Sequence, residues 1–288
     1  MESADRYRLP RTVVPSRYEL TLEPDLQAAR FAGEVAISVE VREPVDEIVL
    51  NAKELQIDEA WLEREGIRLE ASASFEADTE RCRLKLSGTA EPGAWTLRSR
   101  FRGVLNDKLE GFYRSKFTDP EGNERVLATT QFESTDARQA FPCWDEPDLK
   151  ATFAVTLVVP EGVLALSNGA ELSNEPNGDS RRRVVYAETM KMSTYLVAFV
   201  VGPLGITDPM DAGGTPLRVA YPPGRESLTD FALDSGAFAL DYFAGYYGIG
   251  YPAGKLDLVA IPDFAAGAME NLGCITFRET ALLVDPAG

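Results

Sequence analysis

Apolar and polar side chains alternate over most of residues 13–205, which is the pattern of strands with one buried face. Every second residue is apolar in the segments Tyr18–Leu22, Val35–Val41, Cys82–Leu86 and Phe153–Val159. Turn-forming strings separate such runs at strand-sized intervals: Glu43-Pro44, Glu91-Pro92-Gly93, Asp119-Pro120-Glu121-Gly122 and Asn177-Gly178. Residues 1–205 are therefore predicted to form an all-β domain of the sandwich type.

The pattern changes near residue 205, where we expect a domain boundary. The stretch Gly202–Gly224 is rich in Pro and Gly and predicts a linker that contains one strand, Leu217–Tyr221. A helix is predicted next, because five residues advance by three and four positions: Leu228, Phe231, Ser235, Phe238 and Tyr242.

Local signals at the ends of this helix agree with its position. Ser227 and Asp230 resemble a capping pair, and Gly245 and Gly248 are placed to end the helix. Three segments follow: a strand at Lys255–Ile261, a glycine-rich turn at Ala266–Gly273 and a strand at Cys274–Phe277. Residues 206–288 thus predict the incomplete start of a second, strand–helix–strand domain.

Composition narrows the range of functions. The 288 residues are 44% hydrophobic and carry a formal net charge of -17, so a nucleic-acid partner is not expected. Neither a leader sequence nor a membrane anchor is apparent, and three widely spaced cysteines without metal-site spacing favour the cytoplasm. The sequence contains no histidine, which excludes histidine-based zinc sites and catalytic triads from this chain.

The sharpest chemical signal is the string Gly267-Ala268-Met269-Glu270-Asn271. A given five-residue string arises by chance in a chain of this length about once in ten thousand. This string is the GAMEN exopeptidase motif of the aminopeptidase N family of zinc metallopeptidases, of the gluzincin type, and most of the chain resembles that family. Other segments similar to its N-terminal signatures are Val14–Tyr18, Gln131–Glu133, Ala137-Arg138, Phe141–Pro147 and Lys150–Phe153.

The resemblance implies a mainly β fold, with a sandwich- or saddle-like domain in residues 1–205. It also implies that residues 206–288 are the truncated start of a thermolysin-like α+β catalytic domain. The expected function is that of a zinc-dependent aminopeptidase, which hydrolyses N-terminal residues from peptides. The family's zinc motif, HExxH, has no counterpart here, so we expect zinc only in the complete enzyme. We expect this segment to be inactive alone and to need the rest of its catalytic domain.

The chemistry of the candidate residues suits recognition of a free N-terminus. Gln131 and Glu133, two apart on a predicted strand, would share one face. An α-ammonium offers three hydrogen-bond donors, which Glu133 and Glu270 together could accept. The small residues Gly267 and Ala268 would allow an extended peptide to pair with the backbone.

The predicted substrate-binding set therefore comprises seven residues, namely Gln131, Glu133, Gly267, Ala268, Met269, Glu270 and Asn271. The chain itself is predicted to supply neither catalytic residues nor metal ligands. Peptides with a free N-terminus are the expected partners, with no nucleic acid and no membrane.

Other residues in these segments are expected to have structural roles only. Arg138 is expected to be a structural ion-pair partner, and Trp144, Asp145 and Glu146 to be turn and packing residues. Two other classes of protein remain open. One is a non-catalytic, aminopeptidase-like module that binds protein partners or acts as a scaffold, and the other, less favoured, is a carbohydrate-binding sandwich.

Overall fold

The computed structural model describes residues 8–285, which fold mainly into β-strands. The strands are β1 (Val13–Asp25), β2 (Arg30–Val41), β3 (Val45–Asn51), β4 (Gln56–Arg64), β5 (Ile67–Glu76), β6 (Arg81–Ala90), β7 (Gly93–Val104), β8 (Gly111–Thr118), β9 (Glu124–Gln131), β10 (Thr152–Pro160), β11 (Leu164–Ser167), β12 (Glu171–Pro176), β13 (Arg181–Tyr186), β14 (Phe199–Gly202), β15 (Gly205–Ile206), β16 (Met210–Ala212), β17 (Thr215–Tyr221), β18 (Leu256–Ile261), β19 (Ala268–Met269) and β20 (Cys274–Arg278). The α-helices are α1 (Asp230–Tyr247) and α2 (Glu279–Leu282).

The first sheet has ten strands in the order β12-β13-β10-β1-β2-β7-β4-β5-β6-β3. Its pairs are antiparallel except for β1 with β10, which run parallel with Leu20 opposite Val155. The alternating apolar residues of β2 lie on the inner face, where Val35, Ile37 and Val39 are buried. The predicted alternation therefore corresponds to one buried face of this sheet.

A second, four-stranded antiparallel sheet in the order β11-β14-β9-β8 covers the inner face of the first. Phe31 of β2 meets Phe112 of β8 with ring centroids 5.2 Å apart, and Phe112 packs edge-on against Phe199 of β14. These aromatic contacts belong to one large core between the two sheets. Such a core is what a sandwich requires.

The third sheet has six strands and packs on the opposite face of the second. Its path is β15-β17-β18-β20-β19, with β16 also paired to β17. The pairs β17 with β18 and β18 with β20 are parallel, and α1 connects β17 to β18. Met269 shares a core cluster with Tyr113 and Leu127 of the second sheet, so the segment that contains the motif lies against that sheet.

The expected fold class is confirmed, as are the strands predicted from alternation and the helix that ends at Gly248. Gly248 adopts a left-handed conformation with φ 66°, as a helix C-terminal glycine commonly does. Gly245, by contrast, lies inside the helix. Within residues 8–285, no helix has both the length and the apolar character needed to cross a membrane.

Three local predictions were wrong. The stretch Gly202–Gly224 contains three strands rather than one, because β15 and β16 both pair with β17. The turn predicted at Ala266–Gly273 contains β19, which pairs with β20. Ser227 does not cap α1, since a 3-10 turn over Glu226–Leu228 leads into the helix and Thr229 occupies the N-cap without a side-chain cap bond.

Candidate functional site

Strand β9 brings Gln131 to the boundary between the second and third sheets. Leu127, Thr129 and Gln131 alternate along β9 and so share a face, and Leu127 packs in the same cluster as Met269. Within residues 8–285, the side-chain oxygen of Gln131 is buried and has no hydrogen-bond partner, and the hydroxyl of Thr129 is in the same state. Because an unpaired buried acceptor is costly, a donor supplied by a ligand would be stabilising at Gln131.

Glu133 lies just beyond the strand, so the prediction that it continues β9 was wrong. The strand ends at Gln131, and the backbone turns there because the amide of Asp136 donates to the carbonyl of Phe132 at 2.9 Å. The Phe132 ring is fully buried against Phe141 and Phe199. This anchor leaves Glu133 in an exposed turn, next to Gln131 in sequence but not held on the same strand face.

The five-residue motif forms the edge of the third sheet. β19 pairs with β20, with Ala268 opposite Phe277, and its other edge has no partner strand in the described structure. Gly267, Ala268 and Glu270 are exposed. The motif therefore presents a free strand edge and a carboxylate on the surface.

The two remaining motif residues point inward. Met269 is fully buried in the cluster that joins the second and third sheets. Asn271 is 1% exposed and donates from its side-chain nitrogen to the hydroxyl of Thr276 at 3.2 Å. These buried contacts fix the position of the motif's backbone.

Residues from outside the motif fix its start and the loop before it. The backbone amide of Arg278 donates to the carbonyl of Gly267 at 2.9 Å, and its guanidinium donates to the carbonyls of Phe264 and Ala265 at 3.2 and 2.6 Å. Tyr113 of the second sheet donates its hydroxyl to the carbonyl of Asp263 at 2.9 Å. The pKa of Tyr113 is raised by burial and by the neighbouring Asp263, so the hydroxyl keeps the proton that it donates.

A second group of side chains fixes the loop after the motif. The ammonium of Lys255 donates to the carbonyl of Gly273 at 2.7 Å, and the hydroxyl of Tyr251 accepts the Gly273 amide at 2.8 Å. Burial raises the pKa of Tyr251, which keeps this phenol neutral. Asn168 donates to the carbonyl of Leu272 at 2.9 Å.

Sequence reasoning missed these supporting residues. For Lys255 a signal was present, because Lys255 and Asp257 are charged residues two apart in a run that is otherwise apolar. In the structure both are buried and paired, with Lys255 Nζ 2.6 Å from Asp257 Oδ2. Asn168 gave no such signal, because one asparagine after a strand is typical of an ordinary turn.

Arg138 is a structural ion-pair residue, as predicted. Its guanidinium lies 3.0 Å from Asp145 and 3.0 Å from Glu80. Asp145 also accepts the Arg138 backbone amide, and Glu146 accepts the amide of Leu9. These carboxylates serve the local turn, which agrees with the packing role expected of this segment.

The residues present do not fit a zinc centre. The sequence has no histidine, and residues 8–285 contain no group of three or more histidine, cysteine, aspartate or glutamate side chains placed to hold a metal. Cys82, Cys143 and Cys274 are buried, unpaired thiols whose pKa values are raised mainly by burial. Arg138 lies near Cys143, and Lys255 and Arg218 lie near Cys274, but burial outweighs these cations and keeps the thiols protonated.

Comparison with protein families gives two matches that together cover most of the chain. The family model described as the Peptidase M1 N-terminal domain matches residues 14–196. The model described as the Peptidase family M1 domain matches residues 231–288, which contain the five-residue motif.

Curated proteins similar to this chain are named as aminopeptidases. Aminopeptidase M1-C of Oryza sativa subsp. japonica is 44% identical over 287 residues, covering 98% of this chain and 32% of the rice protein. The puromycin-sensitive aminopeptidase of Caenorhabditis elegans is 42% identical over 282 residues, covering 97% of this chain and 30% of that protein. Aminopeptidase 2, mitochondrial, of Saccharomyces cerevisiae is 40% identical over 286 residues, with 99% and 30% covered. The chain spans about a third of the length of the curated relatives it matches.

Proposed function

Since this chain belongs to peptidase family M1, we propose that it is the part of an aminopeptidase that recognises the free N-terminus of a peptide substrate. The observation that carries the proposal is the unpaired, buried oxygen of Gln131, on the strand face that packs towards the motif segment. A buried acceptor without a donor is the complement of an ammonium group, which has donors and no acceptor.

Two exposed carboxylates supply the charge for this interaction. Glu133 follows Gln131 in the turn after β9, and Glu270 lies in the motif at the edge of the third sheet. Neither carboxylate is in a salt bridge with the described residues. An α-ammonium that binds between them would be neutralised, whereas an internal peptide bond would leave two carboxylates facing each other without a cation. Preference for a chain end follows from this asymmetry.

The free edge of β19 suits the substrate's backbone. Gly267 and Ala268 are exposed and small, so an extended peptide can approach the strand closely enough to form main-chain hydrogen bonds. Met269 and Asn271 act from within, by holding the shape of this edge. All seven residues expected to bind substrate thus have a place in the proposed site, five through exposed or unpaired groups and two through support.

The complete protein is proposed to be a zinc-dependent metalloaminopeptidase that acts on peptides. Its zinc ligands would come from residues outside this chain, since the residues present do not fit the metal, and this chain alone is therefore expected to cleave nothing. We also propose a domain boundary near residue 205, where the third sheet begins with β15. A cytoplasmic location is part of the proposal as well, although one relative is named as mitochondrial.

The test uses the full-length protein and two competitive inhibitors, a tripeptide with a free α-amine and its des-amino analogue. Glu133→Gln and Glu270→Gln should each weaken binding of the tripeptide by about 2 to 5 kcal/mol, the range for removing one partner of a charge pair that becomes buried in the complex. Binding of the des-amino analogue should stay the same, because it has no ammonium. Each variant is compared with the parent protein by its inhibition constants.

Glu121→Gln is the matched control, because Glu121 is an exposed carboxylate in the turn between β8 and β9, at the far end of the strand. It should change neither inhibition constant. If the parent protein binds the tripeptide and the des-amino analogue equally, the proposed recognition of the amine is wrong.

A further inference from the structure

Asn168 lies where the second and third sheets meet, and its side chain binds both. Its amide nitrogen donates to the carbonyl of Leu196 at 2.8 Å and to the carbonyl of Leu272 at 2.9 Å. Its oxygen accepts the backbone amide of Ala198 at 2.9 Å. The residue is 2% exposed, so its side chain is shielded from water.

Asn168 is linked to Gln131 through β14, which pairs with β9. Ala198 is followed by Phe199, whose amide donates to the hydroxyl of Thr130 at 3.2 Å. β14 also pairs with β9 through Val200 opposite Thr129. The position of Asn168 relative to the end of β9 is therefore fixed by short backbone links.

Asn168 is also linked to Glu270, through the turn that contains Leu272. Leu272 is two residues after Glu270, and the Asn271 carbonyl between them accepts the amide of Cys274 at 3.0 Å. The same turn is held by Lys255, whose ammonium bridges the carbonyls of Ser167 and Gly273 at 2.6 and 2.7 Å. Asn168 and Lys255 thus fasten two adjacent residues of one sheet to two adjacent residues of the other.

The backbones approach so closely here that a side chain is excluded. Gly273 has φ 77°, a left-handed conformation, and a Cβ added to it would overlap the carbonyl oxygen of Asn168. Only glycine allows both the conformation and the approach. The close approach of the two backbones at this point therefore depends on glycine at position 273.

We propose that Asn168 is a positioning residue for α-amine recognition, because it sets the spacing between Glu270 and the Gln131–Glu133 segment. This inference rests on the proposed function and deepens it, since it names what holds the two halves of the amine site in register. Asn168 does not touch the substrate. It acts through the backbone on either side, so its loss alters the fit of the ammonium more than the binding of the rest of the peptide.

The experiment measures the amine preference of the full-length protein, defined as the inhibition constant of the des-amino tripeptide divided by that of the free tripeptide. Asn168→Asp keeps the acceptor for Ala198 but replaces the donor to Leu196 and Leu272 by an oxygen. Asn168→Ala removes both. Each should lower the amine preference by about ten- to a hundredfold, the size of effect expected when a binding group is displaced by about 1 Å. The des-amino constant should change little.

Gly273→Ala tests the same contact between the second and third sheets, from the side of the third sheet. The added methyl group pushes Leu272 and the motif away from Asn168, so the amine preference should fall in this variant as well. The preference is a ratio of two constants for one protein sample, so partial unfolding cancels from it. A variant with a low yield of folded protein therefore still gives a usable result.

Asn51 provides the matched control. It is 4% exposed, donates to the carbonyl of Glu80 and accepts the amide of Asp145, but contacts neither half of the proposed site. Asn51→Asp and Asn51→Ala should destabilise the protein and leave the amine preference unchanged.

The outcomes separate the two proposals. If the parent shows no amine preference, the proposed function itself fails. If the parent shows it and the Asn168 and Gly273 variants keep it unchanged, Asn168 is structural only and the positioning role is refuted. A preference that falls equally in the Asn51 variants also refutes the specific role.

Discussion

Buried charges show, at the scale of single residues, how the fold holds the segment that follows β9. The Asp145 side chain is almost fully buried, and burial raises its pKa, while the adjacent Arg138 guanidinium offsets part of that rise. An aspartate with a raised pKa in the folded state stabilises the fold below its usual pKa. That contribution is lost as the pH rises through the folded-state pKa. Arg138 therefore matters most at neutral pH.

Replacing Arg138 by methionine should destabilise this chain by about 3 to 5 kcal/mol at pH 7, because it leaves a buried carboxylate without its cation. Without Arg138 the pKa of Asp145 rises further, so the deficit should shrink as the pH is lowered and Asp145 becomes neutral. Denaturant titrations of the parent and the variant at several pH values measure both effects.

Arg17→Met is the control for this prediction. Arg17 pairs with Glu19 and Glu188 on the exposed side of the first sheet, where its side chain is 36% exposed. Its loss should cost less than about 1 kcal/mol, as for other exposed ion pairs. A cost as large as that of Arg138→Met would contradict the role assigned to burial.

Single residues also show which roles cannot be predicted from the sequence. Arg138 could be assigned a structural role from the sequence, because an ion-pair role was expected there rather than contact with a substrate. The roles of Asn168 and Lys255 depend on contacts with residues far along the chain, such as Leu272 to Asn168. Alternation and motif spacing report local structure only, so they contain no information on such contacts.

Helix α1 shows which features of a single element can be predicted from the sequence and which cannot. Its existence and its end at Gly248 could be predicted from periodicity and glycine placement, but the face that packs could not. Phe231 and Phe238, which belong to the predicted apolar stripe, are 61% and 70% exposed. The packed face instead contains Ala232 and Gly236, because small side chains let the helix lie close to β17 and β18.

Gly236→Leu should destabilise the chain by about 1 to 3 kcal/mol, since a large side chain at a packed position forces its neighbours apart. A Cβ at Gly236 would already lie 3.1 Å from side-chain carbons of Leu217 and Leu258. Gly245→Leu places the same side chain on the same helix where the surroundings are open. This control should stabilise the chain by up to about 1 kcal/mol, through helix propensity.

Thermal or denaturant unfolding of the two variants tests this packing directly. Opposite signs for Gly236→Leu and Gly245→Leu are the expected result. Two effects of the same sign would mean that α1 does not lie on the third sheet through its small residues.

Strand β9 shows that the end of a strand can depend on contacts with segments far away in the sequence. A Gln-x-Glu pattern suggested one continuous strand, but the buried Phe132 between the two polar residues anchors the backbone and the strand stops at Gln131. Burial of one aromatic ring in a distant cluster decided this, and the cluster is assembled from segments far apart in the sequence. The chemistry of Gln131 and Glu133 could be inferred without it, whereas their geometry could not.

The three sheets place the two halves of the proposed site on different layers of the whole molecule. Gln131 ends a strand of the second sheet and Glu133 lies in the turn that follows it, whereas Glu270 directly follows β19 at the edge of the third sheet. The seam of Asn168, Lys255 and Gly273 joins these layers. Recognition of the amine is thus proposed to be a property of the interface between sheets and not of one continuous motif.

Hydrolysis of an aminoacyl chromogenic amide, by this chain and by the full-length protein, with and without zinc, tests the central claim most directly. We expect cleavage only by the full-length protein, only with zinc bound and only when the α-amine is free, because this chain is proposed to supply recognition and the rest of the protein is proposed to supply the metal ligands. Cleavage by this chain alone, or equal cleavage of free and N-acetylated substrates by the full-length protein, would contradict the account. A full-length protein that binds peptides but never cleaves them would instead favour a non-catalytic module.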